Sequence, residues 1–192
     1  MRATAAALTL ALLASLALLS CSSPSAPTTY ERIVIETFSP DGSVTADTYI
    51  DLFDSNGDPD ADDPWTGNDT ADAIAYDDDG NDSLFTGMSR VDYSGGLASG
   101  TYYIRVRGRT ISYGIDDFYA IRVLSLQLGD SIPAYPTLAF AAKPDSEEVD
   151  DNPTSGGIPG NPVSIDTSTP LSRTLYSNGT DPEIDWFELV LP

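Results

Sequence analysis

The 192-residue chain carries 30 Asp and Glu against 9 Lys and Arg, with no histidine, for a formal net charge of −21. Such a surface is repelled by nucleic acid and by anionic lipid head groups, and suits metal cations, basic partners or plain solubility. The lack of histidine excludes His-based triads and His zinc sites, and the single cysteine, Cys21, excludes an internal disulfide.

The first element is an export signal. Met1-Arg2 gives a short positive start, and residues 3–19 are mostly Ala and Leu before Ser20-Cys21. A charged start, a short apolar core and a small residue before a cleavage point mark secretion, whereas a spanning helix needs about 20 apolar residues. Leu18-Leu19-Ser20-Cys21 resembles the lipobox of bacterial lipoproteins, with Leu18 and Ser20 of the expected types and Leu19 a less usual residue. The resemblance implies that residues 1–20 are cut away and that Cys21 is acylated and becomes the new N-terminus. An ordinary secretory signal with an incidental cysteine is the alternative. Removing 20 residues from 192 leaves 172, and loss of Arg2 takes the charge from −21 to −22.

Residues 21–30, opening with Cys21-Ser-Ser-Pro-Ser-Ala-Pro-Thr-Thr29, are small, polar and Pro-rich and read as a flexible tether. Acyl chains anchor by about 0.8 kcal/mol per buried methylene, so two or more hold a protein stably. Ser22 resembles the residue that directs lipoproteins to the outer membrane of cells that have one.

Beyond the tether, helical periodicity is nearly absent. Short β-rich runs separated by Gly, Asp, Asn and Pro predict an all-β fold, an antiparallel sandwich or barrel. Strands are expected at Glu31–Thr37, Thr48–Asp54, Ala73–Tyr76, Gly100–Arg109 and Phe118–Leu128. In the fourth, Tyr102, Ile104 and Val106 share one face, predicted to be buried, while Tyr103, Arg105 and Arg107 share the other. The arginine row is expected to be a solvated face that neutralises nearby carboxylates.

Residues 129–170 change texture. Pro133, Pro136, Pro144, Pro153, Pro159, Pro162 and Pro170 interrupt them, with an acidic 145–151 and a Gly-rich 155–160. Pro excludes a sheet interior, so the stretch is expected to be mostly linker, with an edge strand near 137–142. Structure is expected to resume over residues 171–192, with Ser172–Tyr176, a turn at Asn178-Gly179, and Ile184–Leu191.

Four pieces in order carry a family resemblance over residues 31–128: Asp47–Asp54 followed by Ser55-Asn56-Gly57; Ala75–Gly80; Gly100–Val106; and Asp117–Val123. They resemble the bacterial pre-peptidase C-terminal domain, a jelly-roll-like β-sandwich appended to secreted peptidases and other exported proteins. The family's opening Asp-x-Asp-Trp-Phe-like strand is missing before residue 33, and a similar piece, Asp185-Trp186-Phe187, stands near the C-terminus instead. Either the tail begins a truncated second copy or it folds back to complete the first. Fold-back is favoured, because an unpaired apolar strand is an aggregation hazard.

Eleven aspartates and no glutamate stand between Asp54 and Asp82. Asp54, Asn56, Asp58, Asp60 and Asp62 alternate like the oxygen ligands of calcium loops, which pack 6–8 oxygens around the ion. Pro59 and Trp65 replace the turn Gly and closing Glu of an EF-hand. Asp77 and Asp79 belong to a second cluster. Calcium is a candidate cofactor, and the resemblance adds to it, since the family includes calcium binders. The bland alternative is that these side chains satisfy loop backbone in Asx-turns. Solvated acidic loops are poor sites for a carboxyl of raised pKa, and there is no Gly-x-Ser-x-Gly elbow or Ser-x-x-Lys pair, so no enzymatic activity is expected.

The sequence thus points to a non-catalytic, exported β-sandwich lipoprotein anchored to the cell envelope through Cys21. It is expected to serve as a binding or accessory module toward an extracellular polymer or protein, and not toward nucleic acid. A purely structural envelope protein is the alternative.

Overall fold

The computed structural model describes residues 29–39, 46–55, 73–78, 80, 87–108, 118–136, 138, 162–175 and 184–192. Among them there is no helix, and eleven strands follow one another. They are β1 (Thr29–Tyr30), β2 (Arg32–Phe38), β3 (Thr48–Asp54), β4 (Ala75–Asp78), β5 (Arg90–Tyr93) and β6 (Leu97–Ala98). After these come β7 (Gly100–Gly108), β8 (Phe118–Leu126), β9 (Val163–Ile165), β10 (Leu171–Thr174) and β11 (Ile184–Leu191).

The strands form a four-stranded sheet ordered β10-β8-β2-β5, a five-stranded sheet ordered β4-β3-β7-β11-β9, and a short β1-β6 ribbon. The period-2 alternation read from the sequence decides which side chains meet. Ile33, Ile35, Val91, Tyr119, Ile121 and Val123 of the first sheet join Ile50, Leu52, Tyr102, Ile104, Val106, Phe187 and Leu189 of the second in one buried cluster. Burying each such side chain contributes about 1.5–3 kcal/mol, so this layer is what holds the sheets face to face. The fold is all-β and sandwich-like, with Tyr102, Ile104 and Val106 buried as expected.

Two features depart from the expectation of a simple antiparallel sandwich after a flexible tether. First, β9 pairs with β11 in parallel, Phe187 opposite Val163, so the five-stranded sheet is mixed. This strand comes from the Pro-rich stretch and lies on the sheet edge, where Pro162 beside it removes no ladder hydrogen bond from a neighbour on both sides. Second, Thr29 and Tyr30, at the end of the expected tether, are a strand paired with Ala98 and Leu97. The C-terminal strands belong to both sheets: β10 is an edge strand paired with β8, and all eight residues of β11 pair with β7. The expected edge strand near 137–142 falls almost wholly outside the described residues.

A buried polar latch joins the sheets at one end. The hydroxyls of Thr37 on β2 and Thr48 on β3 lie 2.6 Å apart. The Ser89 backbone N–H donates to Thr37 Oγ1 at 2.9 Å, and the Ser89 hydroxyl donates to the Thr48 carbonyl. Thr48 N–H reaches the Gly87 carbonyl at 2.7 Å. Gly87 adopts φ +79°, a conformation that favours glycine, and a Cβ there would sit a tight 3.2 Å from Asp47 Cα.

Candidate functional site

The seven expected calcium ligands are mostly outside the described residues: Asn56, Asp58, Asp60, Asp62 and Asp79 all are, as is Cys21. Asp54 ends β3 opposite Tyr102 of β7. Asp77 lies on β4, opposite Ile50. One of its carboxylate oxygens accepts the Gly80 N–H at 2.6 Å and the Arg90 N–H at 2.8 Å. Asp77 therefore closes the turn after β4 and ties the edge of one sheet to β5 at the edge of the other, and a Cβ at Gly80 would collide with its carboxylate. Among the described residues, no three Asp, Glu or Cys side chains gather in a metal-binding group.

What the described residues do bring together is buried charge, in a similar pattern on the outer face of each sheet. On the four-stranded sheet, Glu36 of β2 stands directly opposite Arg90 of β5 and Arg122 of β8. Arg90 Nε reaches Glu36 Oε1 at 2.5 Å and Arg122 Nε reaches Oε2 at 2.7 Å. Residues 133–135 lie over this row. Arg122 donates to the carbonyls of Ala134 and Pro133, its guanidinium lies 4.2 Å from the Tyr135 ring centroid, and the Tyr135 hydroxyl donates to Glu36 Oε1 at 3.0 Å. Part of the Pro-rich stretch is thus packed onto the sheet, because its carbonyls and Tyr135 complete the donors of a buried arginine.

On the five-stranded sheet, Asp51 of β3 stands opposite Arg105 of β7, which stands opposite Trp186 of β11. Arg105 Nε and Arg107 Nε both donate to Asp51 Oδ2, at 2.9 and 3.1 Å. The Arg105 guanidinium lies 5.2 Å from the Phe53 ring and 5.7 Å from the Trp186 ring, and that of Arg107 lies 4.2 Å from the Tyr49 ring. Burial first, then the adjacent Asp51 charge, pushes the Tyr49 phenol up to about 12, against the pull of the Arg107 cation. The arginine row is therefore not a solvated face: Arg105 is 1% exposed and Arg107 6%. It does neutralise a carboxylate, but a buried one, beneath the aromatic rings. Asp51 Oδ1, Arg107 Nη2 and Trp186 Nε1 are buried with no hydrogen-bond partner among the described residues, so this cluster is only half satisfied.

A third buried acid, Asp185, points the other way, between the sheets, and accepts the Tyr119 hydroxyl of β8. Asp185, Trp186 and Phe187 thus divide their labour by alternation: a bond across the sheets, the outer cluster, and the core.

An open cleft of about 240 Å³ lies beside the first cluster, between residues 134–136 and the turn at 167–170, with Arg122, Val123 and Leu124 as its floor. Asp166 builds that turn: its Oδ1 accepts the Ser168 hydroxyl and N–H, both at 2.7 Å, and the Thr169 N–H at 2.8 Å. These donors, the Ser168 hydroxyl foremost, hold the Asp166 carboxyl below its ordinary value of 3.8. A depressed carboxyl stabilises the fold above the unfolded value and loses that contribution as pH falls through the folded one. Asp166→Ala should therefore lower the urea midpoint at neutral pH, and the gap from the unaltered chain should close in acid.

No family model, curated protein or solved structure matches this chain. Its chemistry is read from its own residues. Glu36, Asp51 and Arg122 were not singled out in the sequence; the available signal was a charged residue at a strand position flanked two residues away by apolar ones, as in Val34-x-Glu36-x-Phe38 and Tyr49-x-Asp51-x-Phe53.

Proposed function

We propose that the protein is an exported lipoprotein, anchored through acylated Cys21, whose non-catalytic β-sandwich serves as a binding or accessory module of the cell envelope. The observation that carries this reading is the run from Met1 to Thr29: signal, lipobox-like cysteine and short polar tether, leading directly into an all-β domain at β1. The non-catalytic part is supported by how the described buried charges are used. Glu36 and Asp51 are each bound by two arginines, beneath other side chains, and do not face the 240 Å³ cleft as a free acid or base would.

The module is of the pre-peptidase C-terminal kind, with a jelly-roll-like topology. In support, the four resembling pieces fall on β3, β4, β7 and β8, and the Asp185-Trp186-Phe187 piece is a central strand beside β7. Calcium held by the Asp54–Asp82 stretch stabilises it, and its partner is an extracellular polymer or protein.

Thermal unfolding of residues 22–192 in millimolar calcium, then in chelator with magnesium, tests the metal. A ligand that binds only the folded state stabilises it by about 2.7 kcal/mol at a hundredfold excess over Kd, which moves the midpoint several degrees. A calcium-specific rise, lost in Asp54→Ala, is expected; an unchanged midpoint overturns the calcium site. Co-sedimentation with insoluble collagen or chitin then tests the accessory role, and retention by neither, nor by any envelope fraction, argues for a structural protein.

A further inference from the structure

We infer that the end of the sandwich closed by the β1-β6 ribbon is a membrane-contact surface, with Leu128 and Val190 seated at the interface of a zwitterionic lipid layer. The inference rests on the reading that Cys21 is lipidated. Three observations place that end. The ribbon joins the starts of β2 and β7, one in each sheet, so it defines a single end of the molecule. The C-terminus is bound there: the Pro192 carbonyl accepts the Tyr30 hydroxyl and the Ser99 hydroxyl, each at 2.9 Å. The eight steps of chain from Cys21 to Thr29 can reach at most about 28 Å. An acylated Cys21 therefore keeps this end within about 28 Å of the bilayer.

The apolar surface agrees with that placement. Among the described residues the large exposed hydrophobics are Tyr76, Leu128 and Val190, and the last two stand at the ribbon end. Val190, 54% exposed, lies opposite Thr101, one step from the start of β7. Leu128, 60% exposed, tops the turn that follows β8. That turn is fixed on all sides: Asp130 N–H donates to the Gln127 carbonyl at 3.1 Å, Gln127 N–H to Asp130 Oδ2 at 3.0 Å, and Leu128 N–H to Glu31 Oε2 at 3.2 Å. Gly129 supplies the φ of +93° the turn requires. A leucine at the tip of a braced turn, hydrogen-bonded to the residue next to β1, is held toward solvent at the end nearest the anchor, which would supply the local concentration for a weak contact.

Charge selects the lipid. Glu31, Asp92 and Asp130 crowd this end, and the one described cation among them, Arg32, is bound to Asp92 at 2.7 Å and to the Asp130 carbonyl at 2.7 Å. The surface is therefore suited to phosphatidylcholine or phosphatidylethanolamine head groups and repelled by anionic ones.

The test uses the chain made with its own signal, isolated from membranes and reconstituted in phosphatidylcholine vesicles carrying a nitroxide-labelled lipid. Acylation occupies the only native thiol, so Leu128→Cys or Val190→Cys takes a fluorophore uniquely, and Tyr76→Cys, halfway along the sandwich opposite Asp51, is the control. Quenching several-fold greater at 128 and 190 than at 76 is expected, declining when phosphatidylglycerol is added at low salt. Equal quenching at the three positions, with the protein still floating with the vesicles, overturns the contact surface alone. Failure of all three chains to float overturns the lipidation reading, and the contact surface with it.

Discussion

Deleting residues 184–192 is expected to abolish cooperative unfolding altogether. β11 is an interior strand: it pairs with β7 along its whole length and with β9 on its other side. It contributes Phe187, Leu189 and Leu191 to the core and Ile184 and Trp186 to the outer cluster, all nearly inaccessible. At about 1.5–3 kcal/mol for each of these five side chains removed from water, the loss is as large as the whole 5–15 kcal/mol by which a domain is ordinarily stable, and it also bares the edge of β7. Near-UV circular dichroism and a urea titration check it. A truncated chain that still unfolds in one sharp transition would show that the tail belongs to a separate unit. Trp186→Ala, which empties the largest of these sites, should cost about 3–5 kcal/mol and leave a foldable chain.

The second large effect is expected at Asp51. Asp51→Ala removes the buried carboxylate that Arg105 and Arg107 share beneath Phe53, Trp186 and Tyr49, and breaking a buried ion pair in this way costs about 3–5 kcal/mol. For a domain of this size that lowers Tm by roughly 6–20 °C. The diagnostic comparison is the triple replacement Asp51→Leu, Arg105→Met, Arg107→Leu. A half-satisfied ionic cluster is costly to bury in the first place, so the apolar version should unfold at or above the midpoint of the unaltered chain. If Asp51→Ala and the triple variant are equally destabilised, the charges are not what the site depends on. If Asp51→Ala is neutral, the cluster is solvated after all.

The long strands were legible in the sequence because they alternate over enough residues to reveal a face. Thr48–Asp54 and Ile184–Leu191 have the bounds read from their pattern, and Gly100–Gly108 and Phe118–Leu126 differ from theirs only at the ends. β1, β5, β6 and β9 were missed, being two to four residues long, too short for alternation to register, and β9 lies among prolines. The buried arginines were misread for a different reason. Whether Arg105 meets water or Asp51 depends on a strand 54 residues away in the sequence, and no local pattern carries that pairing. The same holds for the parallel pairing of β9 with β11, which only the fold-back of the C-terminus makes available. Of the candidate metal ligands, Asp77 has a role its neighbours alone could not reveal, since its carboxylate bonds the backbone of Arg90 on the other sheet.

An anchored lipoprotein stands or falls on what becomes of Cys21. Mass spectrometry of the N-terminal peptide, taken from protein isolated from the membranes of a bacterium expressing the full chain, addresses it directly. The expected peptide begins at Cys21 and carries a thioether-linked diacylglycerol, with no trace of residues 1–20 in the mature protein. A peptide that begins elsewhere, or a Cys21 that still reacts as a free thiol, would contradict the anchored lipoprotein.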